Sequence, residues 1–170
     1  MKPNITLMPR HPRSRWSAAL QAATAGTCAS VLSAAVLLLA GRREAGSAAA
    51  PLNAVSHWYW GDEALGQQQT DVQHTVVGYL THHAASVFWA ALLSAFLQRE
   101  PREVSLRKVM VSSAVTSALA CAVDFKMTPK RLTPGFEHRL SRKTLGGTYL
   151  LFAVGLAIGS LLIRAKRHDR

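Results

Sequence analysis

Four long runs free of charge, or nearly so, dominate the chain: Ser17 to Ala40, Thr75 to Leu97, Val109 to Met127 and Leu145 to Ile163. Each approaches the ~20 residues that a helix needs to cross ~30 Å of hydrocarbon. Only helices and closed barrels satisfy their backbone polar groups inside lipid. The reading is therefore an all-α integral membrane bundle of four transmembrane helices. A basic N-terminal segment (1–16) precedes one membrane domain (17–164), with helices near 17–40, 75–97, 109–127 and 145–163, and a basic tail (165–170) follows. The first run is the weakest, since Ala, Ser and Thr fill its first half. Arg10, Arg13 and Arg15 before it and AGSAAAP after it resemble a signal peptide, but the apolar stretch is too long for one, and an uncleaved helix is expected.

Charge sets the orientation. The chain carries 20 Lys and Arg against 9 Asp and Glu, a net charge of +11. These residues fill the gaps between apolar runs instead of forming a stripe on one face, which speaks against nucleic-acid binding. With the N-terminus inside, twelve basic residues fall on the cytoplasmic side and eight outside, so both termini are expected in the cytoplasm. The loop after the third run opposes this, because it holds six of the outer eight: Lys126, Lys130, Arg131, Arg139, Arg142 and Lys143. Only 15 residues separate Lys108 from Asp124, ~22 Å of helix. A re-entrant third run, with the C-terminus outside, is the alternative topology.

Small residues recur every four positions: Ala22, Gly26 and Ser30; Ser86, Ala90 and Ser94; Ser113, Ser117 and Cys121; Gly155 and Gly159. Such faces let backbones approach where lipid supplies no hydrophobic drive between helices. They favour internal packing over a homo-oligomer, though both are compatible with the pattern. Cys28 and Cys121 lie far apart in apolar runs and read as packing residues.

An intramembrane histidine is a functional candidate by default, and the second run carries two, His82 and His83. The short link Gln98–Arg107 predicts that the second and third helices are antiparallel neighbours, and symmetry about Glu103 sets His82 opposite Asp124. An imidazole and a carboxylate in low dielectric can share a proton or join a metal site; the plainer reading is a polar clasp that fixes helix register. His57, His74 and His83 are further possible metal ligands, but no spacing matches a known metal signature, and no cofactor is predicted. A bis-histidine haem is disfavoured because the other three runs lack histidine.

Two polar segments complete the pattern. PLNAVSHWYWGDEALG joins Trp58, Tyr59 and Trp60 to His57, Asp62 and Glu63, and is expected to lie as a short helix or turn on the outer surface at headgroup level. The sharper alternative is a lid that hangs His57 and an acidic residue over His82, with Asp71 and His74 extending the cluster. DFKMTPKRLTPGFEHRLSRKT is broken by prolines into turns, and its six cations should meet lipid phosphates or hold an anionic ligand.

The segments PLNAVSHWYWGD, GYLTHHAASVFWA and VDFKMTPKRLTPGFE resemble small proteobacterial inner-membrane proteins with four predicted helices. The likeness covers most of the chain from Pro51 onward. It implies a bacterial inner-membrane location and no activity. The resulting expectation is a structural or accessory membrane protein with membrane lipids, and a membrane protein or second copy, as partners. The alternative is a small membrane enzyme or proton-linked carrier that uses His82 and Asp124.

Overall fold

The computed structural model describes residues 15–99 and 104–168. Most of the expected 1–16 segment, Glu103, Arg102 and Arg170 lie outside them. Helix α1 (Arg15–Glu44) is followed by three short helices, α2 (Ala50–Val55), α3 (His57–Trp60) and α4 (Glu63–Gly66). A π turn (Val72–Val76) leads into α5 (Val77–Gln98). Helix α6 (Leu106–Ala122) runs into a second π turn (Val123–Met127), 3₁₀ turns follow at Lys130–Leu132 and Phe136–His138, and α7 (Arg142–His168) ends the chain. Among the described residues there is no strand. Four helical stretches, Ala18–Glu44, Val72–Gln98, Leu106–Met127 and Arg142–Arg164, are long and apolar enough to cross a membrane. Each extends beyond at least one end read from the apolar runs, because a helix continues through flanking polar residues once its backbone bonds are propagating.

The third stretch reaches past Asp124 by changing its hydrogen-bond period. Thr128 N–H donates to the Val123 carbonyl at 2.9 Å, five residues back. Asp124 therefore sits on the last turn of a continuous helical stretch of 22 residues.

Helix α1 is the hub, packed against α7 on one side and α5 on the other, with α6 outermost and lying mainly on α7. This corrects the expectation that α5 and α6 are close neighbours: they touch sparsely. A short link brings helix ends together but does not choose the interface; complementary small-residue faces do. Gly155 and Gly159 lie so close to Ala29 and Ala25 that an added Cβ would strike the α1 backbone. The Ala-rich run read as the weakest of the four is thus the one that permits closest approach. Ala25, Ala29, Leu93, Phe152 and Leu156 form the resulting core.

For orientation, the end of the bundle holding residues 45–71 and 128–141 is termed the loop end, and the opposite one the tail end. At the loop end Glu44, the last residue of α1, accepts from Ser141 N–H (2.6 Å) and from the Ser141 and Thr144 hydroxyls. It thereby satisfies polar groups at the start of α7 that have no partner inside the helix.

The segment between α1 and α5 also departs from expectation. Every residue from Ala50 to Val55 is buried, so α2 is inserted among the long helices instead of lying on a surface. Two close approaches permit this: a Cβ on Gly78 would meet the Leu52 carbonyl, and one on Gly135 the Ala54 carbonyl. Gly135 also has φ 87°, a conformation that favours glycine. Asn53, fully buried, secures the insertion from its side chain. Its amide nitrogen donates to the Gln67 and Gln69 carbonyls (3.1 and 2.9 Å), and its oxygen accepts from the Thr75 hydroxyl (2.6 Å).

Candidate functional site

Beneath the inserted segment is a cavity of about 80 Å³ reached by all four long helices. Helix α1 contributes Ser33, α5 Thr81, His82 and Ser86, the end of α6 Asp124, and α7 Thr148 and Tyr149. Val55 and Trp58 come from the inserted segment, and Phe136 from the following loop. Trp58 is held in place by its indole N–H, which donates to the Thr133 carbonyl at 2.8 Å.

His82 and Asp124 therefore meet the same cavity, but each is bonded elsewhere. His82 Nε2 lies 2.8 Å from Ser33 Oγ. That hydroxyl also approaches the Ala29 and Ser30 carbonyls at 2.8 and 3.3 Å. When its single hydrogen goes to a carbonyl, His82 must donate through Nε2; when the ring accepts, the hydroxyl turns toward it. Asp124 Oδ2 accepts from the Tyr149 hydroxyl at 2.6 Å, while Ser117 Oγ donates to the Tyr149 carbonyl at 2.6 Å. One bond joins α5 to α1, and the other two join α6 to α7. The direct His82–Asp124 pairing expected from hairpin symmetry is replaced by these links, because α1 and α7 intervene as the nearer packing partners.

The other histidines have separate surroundings. His57 is buried, and its Nδ1 donates to the Ala54 carbonyl at 2.7 Å. The lid over His82 is thus made by Val55 and Trp58, whereas Asp62 and Glu63 are exposed. His74 lies 2.9 Å from Asp71 and edge-on to Trp60. Asp71 accepts from the His74 backbone N–H at 2.6 Å, and this bond, followed by the one from the His74 ring, holds its carboxyl below the usual range. His83 turns away from His82 to lie against Tyr79, with ring centroids 6.0 Å apart. His57, His74, His82, His83 and Asp124 are therefore not gathered around one point, and among the described residues no group of three or more His, Cys, Asp or Glu is placed to hold a metal ion.

At the loop end, Lys126, Lys130 and Arg131 on the turns and Arg142 and Lys143 in the first turn of α7 are exposed. Arg139 is half-buried and donates to the Gln68 amide oxygen at 2.9 Å in the amide orientation that satisfies both groups.

Ser33, Tyr149 and Trp58 are site residues that sequence reasoning missed. Ser33 lies three residues beyond the Ala22–Gly26–Ser30 row, so helical periodicity carried to i+3 could have found it. Tyr149 could have been found as a polar-tipped aromatic inside an apolar run, whose hydroxyl needs a partner.

Comparison with protein-family models, curated proteins and solved structures gave no match.

Proposed function

We propose that this chain is a multi-pass protein of a bacterial inner membrane, structural or accessory in type, whose histidine and carboxylate groups hold four helices in register. The observation that carries this reading is the satisfaction of His82 by Ser33 on α1 and of Asp124 by Tyr149 on α7. Polar side chains bonded across helices act as packing glue in lipid. Four crossings return the chain to its starting side, which together with the balance of basic residues favours cytoplasmic termini. The resemblance to small proteobacterial inner-membrane proteins supports the location. The exposed cations of the loop end would meet anionic headgroups, at ~1 kcal/mol per charge. The small-residue faces Ser86, Ala90, Ser94, Gly155 and Gly159 are buried within the chain, so a membrane-protein partner or second copy would meet the outer apolar faces.

One observation favours a second reading, a small membrane enzyme or proton-linked carrier: His82 and Asp124 line a common cavity. Elemental and native mass analysis of gently purified protein, beside its His82→Ala and Asp124→Asn variants, separates the two. In the structural reading any phenotype follows loss of stability, and the variants retain the same lipids as the parent. A stoichiometric metal or metabolite lost from a folded Asp124→Asn protein would replace that reading with the second.

A further inference from the structure

The hydroxyl groups that line the cavity spend their hydrogens elsewhere. Ser33 Oγ donates to the Ala29 carbonyl at 2.8 Å, Thr81 Oγ1 to Val77 at 2.8 Å, Ser86 Oγ to His82 at 2.8 Å and Thr148 Oγ1 to Thr144 at 3.0 Å, each four residues back along its own helix. The Tyr149 hydroxyl donates to Asp124 Oδ2. A hydroxyl has one hydrogen and two lone pairs, so toward the cavity these five oxygens can only accept. With Ser33 bonded to its own helix, His82 donates through Nε2 and keeps only a lone pair at Nδ1. Asp124 Oδ1 is a further acceptor.

Charge points the same way. Asp124 is half-buried in a membrane-spanning stretch, and among the described residues no cation is paired with it; its partner is the neutral Tyr149. Carboxylates at such positions ordinarily pair with an opposite charge or bind an ion. Trp58, Trp89, Phe136 and Phe152 complete the lining, and aromatic rings attract cations over their faces. The volume of about 80 Å³ holds about three non-hydrogen atoms at a water's share of ~30 Å³ each.

We propose that the cavity binds one small primary ammonium ion, of the size of methylammonium, with its N–H groups toward Asp124 Oδ1 and the hydroxyl oxygens and its carbon against the aromatic walls. N–H donors suit a set of single acceptor oxygens, and the carbon suits the apolar remainder of the lining. Such a site gives a ligand class to the second reading above, on which it rests.

Titration of the full chain in lipid nanodiscs with isotope-labelled methylammonium, followed by NMR at constant ionic strength, tests the proposal. One ion per chain should bind saturably, and its methyl protons should cross-relax with the indole protons of Trp58 and Trp89. Asp124→Asn keeps an acceptor for Tyr149 and should weaken binding at least ~tenfold, the worth of one charge-assisted hydrogen bond. Thr148→Val, close in shape, removes one neutral acceptor and should weaken it about fivefold. Asp62→Asn with Glu63→Gln, exposed carboxylates outside the cavity lining, should leave it unchanged. A circular-dichroism melt checks that each variant is folded. No saturable binding, equal displacement by sodium, absence of the indole contacts, or unchanged affinity in Asp124→Asn and Thr148→Val would each overturn the site. An anion or transition metal held through Asp124 would overturn the ammonium class and leave the second reading standing, whereas no bound species of any kind would remove both.

Discussion

His82 Nε2 and Ser33 Oγ are 2.8 Å apart, and this contact joins the second turn of α5 to the hub helix α1. Interhelical hydrogen bonds in membrane proteins contribute on average about 0.6 kcal/mol, and up to ~1.7. Ser33→Ala and His82→Ala should each destabilise the bundle within that range. Together they should cost less than the sum, as measured by reversible unfolding in mixed micelles. Full additivity would mean that the two residues do not act as a pair.

Asp124 and Tyr149 test the link between α6 and α7. Tyr149→Phe removes the hydroxyl donor to Asp124 Oδ2 and should weaken protection of α6 from amide exchange while leaving α1 and α5 unaffected. Asp124→Asn keeps an acceptor oxygen there, so its exchange pattern should stay near the parent's. A larger effect from Asp124→Asn than from Tyr149→Phe would show that the charge matters more than the bond.

At the α1–α7 crossing, Gly155→Leu or Gly159→Leu would drive a side chain into the backbone around Ala29 or Ala25. Overpacking costs about 1–3 kcal/mol, and here separation of the helices should accompany it. Cysteines at Thr24 and Ile158 report on the crossing: disulfide or crosslinker yield between them should fall in the leucine variants. Gly146→Leu, where an added Cβ meets nothing within 4 Å, serves as the control and should leave the yield intact.

Acid should release the turn that leads into α5. The His74 backbone N–H, with its ring, holds the Asp71 carboxyl below its ordinary value. A carboxyl whose pKa is lower folded than unfolded stabilises the fold above the unfolded value of about 4, and the effect is lost as pH falls through the lowered folded value. Exchange of the His74 amide, corrected for its intrinsic pH dependence, should rise over that acidic window. Asp71→Asn should remove the dependence, and a variant with the parent's profile would assign it to another group.

The sequence revealed most where a signal is periodic. Apolar runs located all four long helices, and the four-residue rows of small residues identified inward faces, so His82 above Ser86 and Asp124 beyond Ser117 and Cys121 were already directed toward a shared interior. Their bonding partners were not legible. Hairpin symmetry sets the height of a residue along the bundle but not which helix stands beside it, and the neighbour is chosen by surfaces such as Ala25–Ala29 against Gly155–Gly159. The hub role of α1 was hidden for a related reason: hydropathy reports how well a run suits lipid, whereas close packing depends on the small size of its Ala and Ser. Insertion of Ala50–Val55 was masked by the aromatics that follow it, which suggest a headgroup position. The informative residues were distant glycines, Gly78 and Gly135, whose missing Cβ atoms leave room for α2.

The central position of α1 also sets an order of assembly as the chain is made. Its principal partners, α5 and α7, emerge later, and α6 packs mainly on α7, which follows it in the chain. The small-residue stripe of α1 must therefore remain in lipid without a mate until α5 arrives, and α6 must wait for α7. Completion of α7 closes the bundle, so a chain truncated before it would leave uncovered the faces of α1 and α6 that pack on α7.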